Sequence, residues 1–126
     1  METQYWVVGA TYGSADQYDR FVKGGFWMLG WEKDDQPAQY ELAKRIRAGD
    51  RIAIKIRNGR GARDITIRSI GIVKEVILDN MLIFCTVNWC ATGLNHRVPV
   101  HGCLGAIHGP YTMQDDKFWL QDIFTL

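Results

Sequence analysis

The sequence has few of the features that mark secreted, membrane-spanning or phosphate-loop proteins. It contains three cysteines, Cys85, Cys90 and Cys103, an odd and small number that excludes a disulfide-bonded secreted scaffold. No apolar run approaches the roughly 18 residues of a membrane span, and no basic-then-apolar segment opens the chain. No glycine-rich phosphate loop follows a predicted strand, since Gly59-Arg60-Gly61 is expected to form a hairpin turn. We therefore expect a cytoplasmic protein with no membrane association.

The net charge of +1 is too small to mark a strongly basic nucleic-acid binder, but it hides a segregation. Ten basic residues lie between Lys44 and Lys74 and only Asp50 and Asp64 oppose them, a local charge of +8. The rest of the chain holds five basic and twelve acidic residues, a charge of −7. Such asymmetry within one domain indicates a polyanionic partner, with a merely solvated basic face as the alternative.

The 126 residues are expected to form one domain, residues 1–126, because no linker, repeat or low-complexity segment divides them. Strict alternation of isoleucines with basic residues predicts a strand over 51–57, and a return strand follows from Ile65. A phase shift in that return strand predicts a β-bulge near Arg68-Ser69. Short turns between strands predict an α+β fold, a twisted, mostly antiparallel small β-barrel flanked by two or three helices.

Other elements follow from local patterns. An aromatic and β-branched run predicts a first strand at 5–8, and Ser14 to Gln17 fits a capping box before a helix that stops at Gly24. Pro37 suits the first turn of a second helix. The remaining expectations are a buried strand or connector at 26–31, a turn at 78–80, a strand at 82–89, a long loop at 90–111 in which only Val98–Val100 is strand-like, and a helix at 112–124 with Phe118, Trp119 and Ile123 facing inward.

Catalytic and metal-binding signals are weak. Cys90, His96, His101 and Cys103 offer zinc-type ligands, but the spacing C-x₅-H-x₄-H-x-C lacks the paired short clips of zinc fingers. Cys103 could pair with His101 or His108 as a nucleophile, yet no family signature surrounds that thiol. We therefore expect no catalytic residues, no metal and no cofactor, and we interpret the chain as a binding module.

The aromatic residues carry more information, since five Trp, five Tyr and five Phe are many for this length. Periodicity places Trp6, Phe21 and Trp119 in the core. Trp27, Trp31 and Trp89 lie at strand ends or beside a loop, where side chains often line pockets. The alternative is that these three indoles plug the ends of a small barrel.

Five motifs, in this order, resemble EVE domains of the PUA-like superfamily. They are Tyr5–Gly9 (YWVVG), Gly25–Trp31 (GFWMLGW), Gly49–Lys55 (GDRIAIK), Ile70–Val73 (IGIV) and Val87–Trp89 (VNW). The match is strongest to the specificity domain of modification-dependent restriction enzymes and their AAA+ relatives, and it covers about residues 5–89. The segment from Cys90 to His108 departs from the family pattern.

The resemblance implies a barrel with a pocket into which a modified base is flipped, as in the related YTH readers. Trp31 and Trp89 match pocket aromatics, Trp27 lies near the cage tryptophan of YTH proteins, and Ala10-Thr11-Tyr12 matches the segment that closes over the base. The implied base pocket is thus Thr11, Tyr12, Trp27, Trp31 and Trp89.

Together these features predict a non-enzymatic reader of a modified base, such as methyl- or hydroxymethylcytosine, in DNA more than RNA. The partner is nucleic acid, with a nuclease or AAA+ motor in cis or in trans as a further candidate. One alternative is a small ASCH-type RNA-binding protein or ribonuclease using Tyr12 or Lys55, and another is a zinc-stabilised interaction module. The residues expected to contact phosphates are Lys55, Arg57, Asn58, Arg60, Arg63 and Arg68.

Overall fold

The structure is a computed structural model that describes residues 2–31, 34–79 and 82–125. Within these residues it is an α+β protein with a mostly antiparallel sheet and three helices, as predicted. In chain order the elements are β1 (Tyr5–Gly9), β2 (Thr11–Tyr12), β3 (Ala15–Asp16), α1 (Tyr18–Gly24), β4 (Phe26–Met28), α2 (Pro37–Ala43), β5 (Arg51–Arg57), β6 (Asp64–Asp79), β7 (Leu82–Ala91), β8 (His96–Pro99), β9 (Ile107–Tyr111) and α3 (Lys117–Phe124).

The main sheet has the strand order β4-β7-β6-β5-β1-β9, and β8 pairs with the first residues of β6. Among the strand pairs of the described residues, only β1 and β5 are parallel, because the chain between them crosses over through α1, β4 and α2. The small hairpin of β2 and β3 stands apart from this sheet. The pairings among the described residues do not join β4 to β9, so the predicted closure into a barrel is not confirmed.

The hairpin of β5 and β6 follows the sequence pattern closely. Ile54 is opposite Ser69 and Lys55 is opposite Ile67, which leaves Arg68 as the extra residue of a bulge. The predicted bulge near Arg68-Ser69 is therefore confirmed. The turn predicted at 78–80 is wrong at its start, because β6 continues to Asp79; Asn80 lies outside the described residues.

Both faces of the sheet are buried at β1 and at the start of β5, where Trp6–Val8 and Ile52–Ile54 form short apolar runs. On one face Trp6, Val8 and Ile52 pack with residues of α1 and α2. On the other face Val7 and Ala53 pack with residues of α3. Because side chains alternate along a strand, β1 and β5 contribute to both clusters.

The carboxyl-terminal third differs from the sequence expectation. The segment predicted as a loop, residues 90–111, contains the end of β7 and all of β8 and β9. The last helix begins at Lys117 instead of residue 112, since the Asp116 side chain accepts a hydrogen bond from the Trp119 N–H at 3.2 Å and caps it there. Trp119 and Ile123 are buried as predicted, whereas Phe118 is 82% exposed. Within the described part of the chain, none of the helices has the length and apolar character to cross a membrane.

Candidate functional site

An open cleft of about 570 Å³ lies where β1 and β5 end. Because these two strands are parallel, their carboxyl ends meet at one edge of the sheet, the place where ligands bind in many open sheets. The volume falls in the range of small-molecule sites. The cleft is lined by Gly9–Thr11, Gly13, Trp31, Gln39, Lys55–Arg57 and Leu104–Ala106.

A smaller recess of about 80 Å³ opens beside this cleft. It shares Gly9, Thr11, Gly13, Trp31 and Ala106 with the cleft. Its own lining adds Tyr12, Trp27 and Gly30. The two spaces therefore bring together four of the five predicted base-pocket residues, which are Thr11, Tyr12, Trp27 and Trp31.

Tyr12 is a fixed, neutral wall of the recess. Its ring lies so close to Gly30 that an added Cβ at Gly30 would fall 2.5 Å from the ring. Its hydroxyl donates to the Met28 carbonyl, and its ring meets the edge of Phe21 at 5.7 Å. Burial raises the Tyr12 pKa well above its usual value, although nearby Arg20 opposes this. Tyr12 thus presents an aromatic face and holds its proton, which does not suit a general base.

The hydrogen bonds of the indole N–H groups separate the five tryptophans. Four of these groups donate to internal acceptors: Trp6 to Asp50 at 2.9 Å, Trp27 to the Gly9 carbonyl at 2.9 Å, Trp89 to the Phe21 carbonyl at 3.1 Å and Trp119 to the Pro99 carbonyl at 2.9 Å. The Trp31 indole has no hydrogen-bond partner among the described residues, and Trp31 is 41% exposed. Trp31 is therefore the indole that can meet a ligand without breaking an internal contact.

The structure does not bring Trp89 to the cleft with the other predicted pocket residues. Trp89 is opposite Gly71 in the ladder of β6 and β7 and packs against the core cluster beneath α1. Its hydrogen bond to Phe21 ties β7 to that helix. The predicted pocket role of Trp89 rested on its place near a strand end, and in the structure its indole packs between β7 and α1, away from the cleft.

Lys55 is the most unusual residue of the cleft, because it is a cation with only 5% of its surface exposed. Its ammonium nitrogen lies 3.7 Å from where a Cβ on Gly9 would stand. Within the described residues it makes no hydrogen bond or ion pair. Burial lowers the Lys55 pKa to about 8. The nearby Cys103 raises this pKa, and the charge of Arg57 lowers it further. A buried cation with no internal anion leaves the cleft ready for an anionic group.

Gln39 adds a second unsatisfied polar group to the cleft wall. Its side-chain oxygen is buried and has no hydrogen-bond partner among the described residues. Leaving a buried acceptor unpaired costs about 1–3 kcal/mol. A ligand group that donates a hydrogen bond would offset that cost. Lys55 and Gln39 therefore suit a ligand with both an anionic and a donor group.

The other predicted phosphate contacts divide between free and occupied side chains. Arg57 lines the cleft, and Arg60 and Arg63 are exposed in the connection between β5 and β6. The Asn58 amide is engaged within the hairpin, where it donates to Asp64 at 2.9 Å and accepts from Thr66 at 2.8 Å. The Arg68 guanidinium pairs with Asp16 at 2.8 Å and lies 3.9 Å over the Tyr18 ring.

The engaged Arg68 therefore acts inside the fold. Its ion pair with Asp16 connects the bulge of β6 to the hairpin of β2 and β3, which carries Thr11 and Tyr12. This position supports the wall of the recess, while 25% of the Arg68 side-chain surface stays exposed.

Two apolar residues at the rim of the cleft, Ile56 and Leu104, did not emerge from the sequence. Ile56 continues the alternation of Ile52 and Ile54, yet it is 37% exposed whereas those two side chains are buried. Leu104 lies in the segment interpreted as an unpatterned loop. Its glycine neighbours, Gly102 and Gly105, were the one local sign of a sharply turned loop tip.

The cysteines and histidines of the carboxyl-terminal segment lie against separate partners. His96 pairs with Asp122 at 2.9 Å, and His101 pairs with Asp116 at 3.3 Å while stacking on Trp119. Cys90 is exposed, and Cys103 is buried with its sulfur 3.6 Å from the Tyr111 hydroxyl. Among the described residues, no three such side chains are grouped to hold a metal ion.

Cys103 is also poorly suited to nucleophilic chemistry. Burial raises the pKa of its thiol, although the Tyr111 hydrogen bond and Lys55 oppose this. Burial likewise lowers the His108 pKa, and Lys55 lowers it further, while the Gly105 N–H donates to His108 Nε2 at 2.8 Å. The His108 nitrogen that would accept a proton from the thiol is thus occupied by backbone.

No protein-family model matches this chain, and no curated protein matches it in sequence.

Proposed function

We propose that this chain is a non-enzymatic reader that takes an extruded, modified base of nucleic acid, DNA in preference to RNA, into the cleft at the carboxyl ends of β1 and β5. The observation that carries the proposal is Trp31, a half-exposed indole with no internal hydrogen-bond partner among the described residues, at the mouth of the recess. An aromatic face free to stack is what an unstacked base requires.

The energetics of such binding are favourable on the scale of single contacts. Extruding a base from a duplex costs a few kcal/mol, and one stack on an aromatic side chain returns about 1–3 kcal/mol. The recess beside Trp31 has room for a small substituent such as a methyl or hydroxymethyl group. A pocket that fills with one such group discriminates by about 1–3 kcal/mol. Gln39 offers an unpaired acceptor for an amino group on the base edge.

Basic groups near the cleft would hold the phosphates. Lys55 and Arg57 line it, and Arg60 and Arg63 are exposed just beyond the end of β5. Contacts of this kind supply affinity that is independent of sequence and falls with salt. Asn58 and Arg68 are left out of this set, because their side chains are engaged within the fold.

The resemblance to EVE-like specificity domains extends the proposal to the rest of the molecule. It implies a PUA-like barrel. In support, the Trp27 indole on β4 donates a hydrogen bond to the Gly9 carbonyl at the end of β1, which brings these two strands together. It also implies a cytoplasmic restriction or defence system in which a nuclease or AAA+ motor, in cis or in trans, acts once this domain has bound.

The proposal is tested by fluorescence anisotropy with duplexes that carry cytosine, methylcytosine or hydroxymethylcytosine at one position. We expect tighter binding of a modified duplex, with the preference lost in Trp31→Ala. Phe118→Ala removes a more accessible aromatic group outside the cleft and should leave the preference intact. If the wild-type protein binds all three duplexes with equal affinity, the proposal is contradicted.

A second candidate function is RNA cleavage, which the buried Lys55 favours because an amine with a pKa of about 8 can exchange protons near neutral pH. Tyr12 does not suit the general-base role in that chemistry, since its raised pKa keeps it protonated. Incubation of single-stranded RNA with the protein in a chelator decides this point. Cleavage that disappears in Lys55→Met would replace the reader with a ribonuclease.

A further inference from the structure

The large apolar side chains that remain exposed are concentrated at the cleft. Among the described residues there are five of them, and three line the cleft: Trp31, Ile56 and Leu104. The other two, Leu78 and Phe118, lie on β6 and α3 outside the cleft lining. Leu104 is 52% exposed, the most accessible of the three rim residues. The apolar rim is therefore a local feature of the site.

Leu104 is held out by a loop that is anchored on both sides. Before it, Cys103 is fully buried and its N–H donates to the Val100 carbonyl at 2.8 Å. After it, the Gly105 N–H donates to His108 Nε2 at 2.8 Å. The Ala106 carbonyl then accepts from the Gly9 N–H at 2.9 Å, which joins the loop to the end of β1.

The backbone of this loop fixes the direction of the Leu104 side chain. His101 and Gly102 both have positive φ angles, 49° and 76°, and the Leu104 N–H donates to the Gly102 carbonyl at 2.9 Å. The buried position at this point of the chain is already filled by Cys103. Leu104 thus cannot withdraw into the core without displacing a packed neighbour.

We infer that Leu104 is an apolar wedge that enters the base stack of a duplex and fills the space left when the target nucleotide is extruded into the cleft. This inference rests on the proposed function and adds the residue that would make extrusion favourable in paired DNA. Proteins that deform duplexes commonly insert an apolar side chain between base steps, which unstacks them and kinks the helix.

The charges around Leu104 favour a duplex as the occupant of the rim over an apolar protein surface. Lys55 and Arg57 line the same cleft, and Arg60 and Arg63 follow at the end of β5. An apolar side chain flanked by cations suits DNA, because the side chain can contact bases while the cations contact the neighbouring phosphates. A protein partner would leave Lys55 buried against an apolar surface without a counter-charge, which is costly.

The test compares the binding of Leu104→Ala and of the wild-type protein to two ligands. Both ligands carry the same modified base, one in a fully paired duplex and one in a single strand. A wedge matters only where a stack must be opened. We expect Leu104→Ala to bind the paired duplex about tenfold more weakly and the single strand with less than about twofold change. Leu104→Phe should restore binding to the duplex, and Leu78→Ala should affect neither ligand.

Each contrary result has a distinct meaning. If Leu104→Ala weakens both ligands equally, Leu104 is a simple contact and the wedge is wrong. If Leu104→Ala changes neither ligand while Trp31→Ala still loses the modification preference, the reader stands and the wedge fails. If the unmodified protein shows no preference for a modified base, the proposed function fails and the wedge with it. Analytical ultracentrifugation completes the test by measuring the oligomeric state. If the protein is a dimer and Leu104→Ala dissociates it, the rim binds a second copy of the chain and the wedge is wrong.

Discussion

At the scale of single residues, hydrogen bonding separates the tryptophans more clearly than their positions along the chain. Trp27, Trp31 and Trp89 were equivalent pocket candidates in the sequence, because each stands at a strand end or beside a loop. In the folded chain Trp27 and Trp89 donate to backbone carbonyls, while Trp31 has no such partner among the described residues. Trp27 forms part of the recess wall, Trp89 supports α1, and Trp31 remains for a ligand.

Lys55 illustrates the conflict between stability and function at one residue. Its pKa is lowered from 10.5 to about 8, so the folded chain binds fewer protons than the unfolded chain between these pH values. Stability therefore rises as pH increases from about 8 to 10.5 and is lowest, for this group, below pH 8. The buried charge lowers the stability of the fold at neutral pH and is kept where a ligand can use it.

Replacing Lys55 by methionine is expected to stabilise the protein and to weaken its binding. The substitution removes a buried cation and keeps an unbranched apolar side chain, so the free energy of unfolding at pH 7 should rise by about 1–3 kcal/mol. Affinity for nucleic acid should fall, since the anionic group loses its partner. Urea denaturation at pH 7 and pH 10 measures the first effect, and anisotropy measures the second.

The matched control for Lys55→Met is Arg60→Ala, which removes an exposed charge and should leave stability nearly unchanged. A Lys55→Met protein that is less stable at pH 7, or whose unfolding free energy still rises between pH 8 and 10.5, would show that Lys55 is not the strained cation described above.

At the scale of secondary-structure elements, the sequence predicted what local patterns determine. The alternation over 51–57 and the phase shift after Ile67 identified β5, β6 and the bulge at Arg68. Helix α1 ends at Gly24, followed by Gly25 in the left-handed conformation, as its glycines indicated. The capping box of Ser14 and Gln17 does not form, because Ala15 and Asp16 pair as β3 and the Tyr18 N–H donates to Asp16 at 3.0 Å.

The elements missed were those that depend on distant partners. Strand β9 contains Gly109 and Pro110, residues that disfavour strands, and it forms by pairing with β1 more than 90 residues away in sequence. The lining of the cleft was difficult to predict from the sequence for the same reason. Thr11, Tyr12 and Trp31 come from segments with pocket-like patterns, whereas Leu104 reaches the rim only because Ala106 is hydrogen-bonded to Gly9.

The hairpin of β2 and β3 provides an element-scale prediction. Arg68 tethers this hairpin through Asp16, so Arg68→Ala should loosen the wall that carries Thr11 and Tyr12. We expect a loss of modification preference with an unchanged slope of log affinity against log salt concentration, because the Arg68 guanidinium is paired with Asp16. Arg60→Ala should do the opposite, keeping the preference and reducing the slope by about 1.

Titration of both variants at several salt concentrations distinguishes these roles. A reduced salt slope in Arg68→Ala would return Arg68 to the phosphate-binding set in which the sequence had placed it. An unchanged salt slope in Arg60→Ala would show that the connection between β5 and β6 does not contact nucleic acid.

At the scale of the whole molecule, the net charge of +1 conceals how unevenly the basic residues are placed. The segment from Lys44 to Lys74 carries +8, but only part of it lies at the cleft end of β5, namely Lys55, Arg57, Arg60 and Arg63. Lys44, Arg45 and Arg47 precede β5 and lie toward its opposite end. The footprint on nucleic acid that the proposed function predicts is therefore small and centred on the cleft.

The most direct test of this account is the indole region of a ¹⁵N–¹H correlation spectrum during titration with a short strand that carries a modified base. We predict that the Trp31 indole signal shifts most, that Trp27 at the recess wall shifts less, and that Trp6, Trp89 and Trp119 stay in place. Trp31→Phe assigns the signal. A Trp31 signal that does not move while the strand binds, or a dominant shift at Trp89, would contradict the placement of the binding site in this cleft.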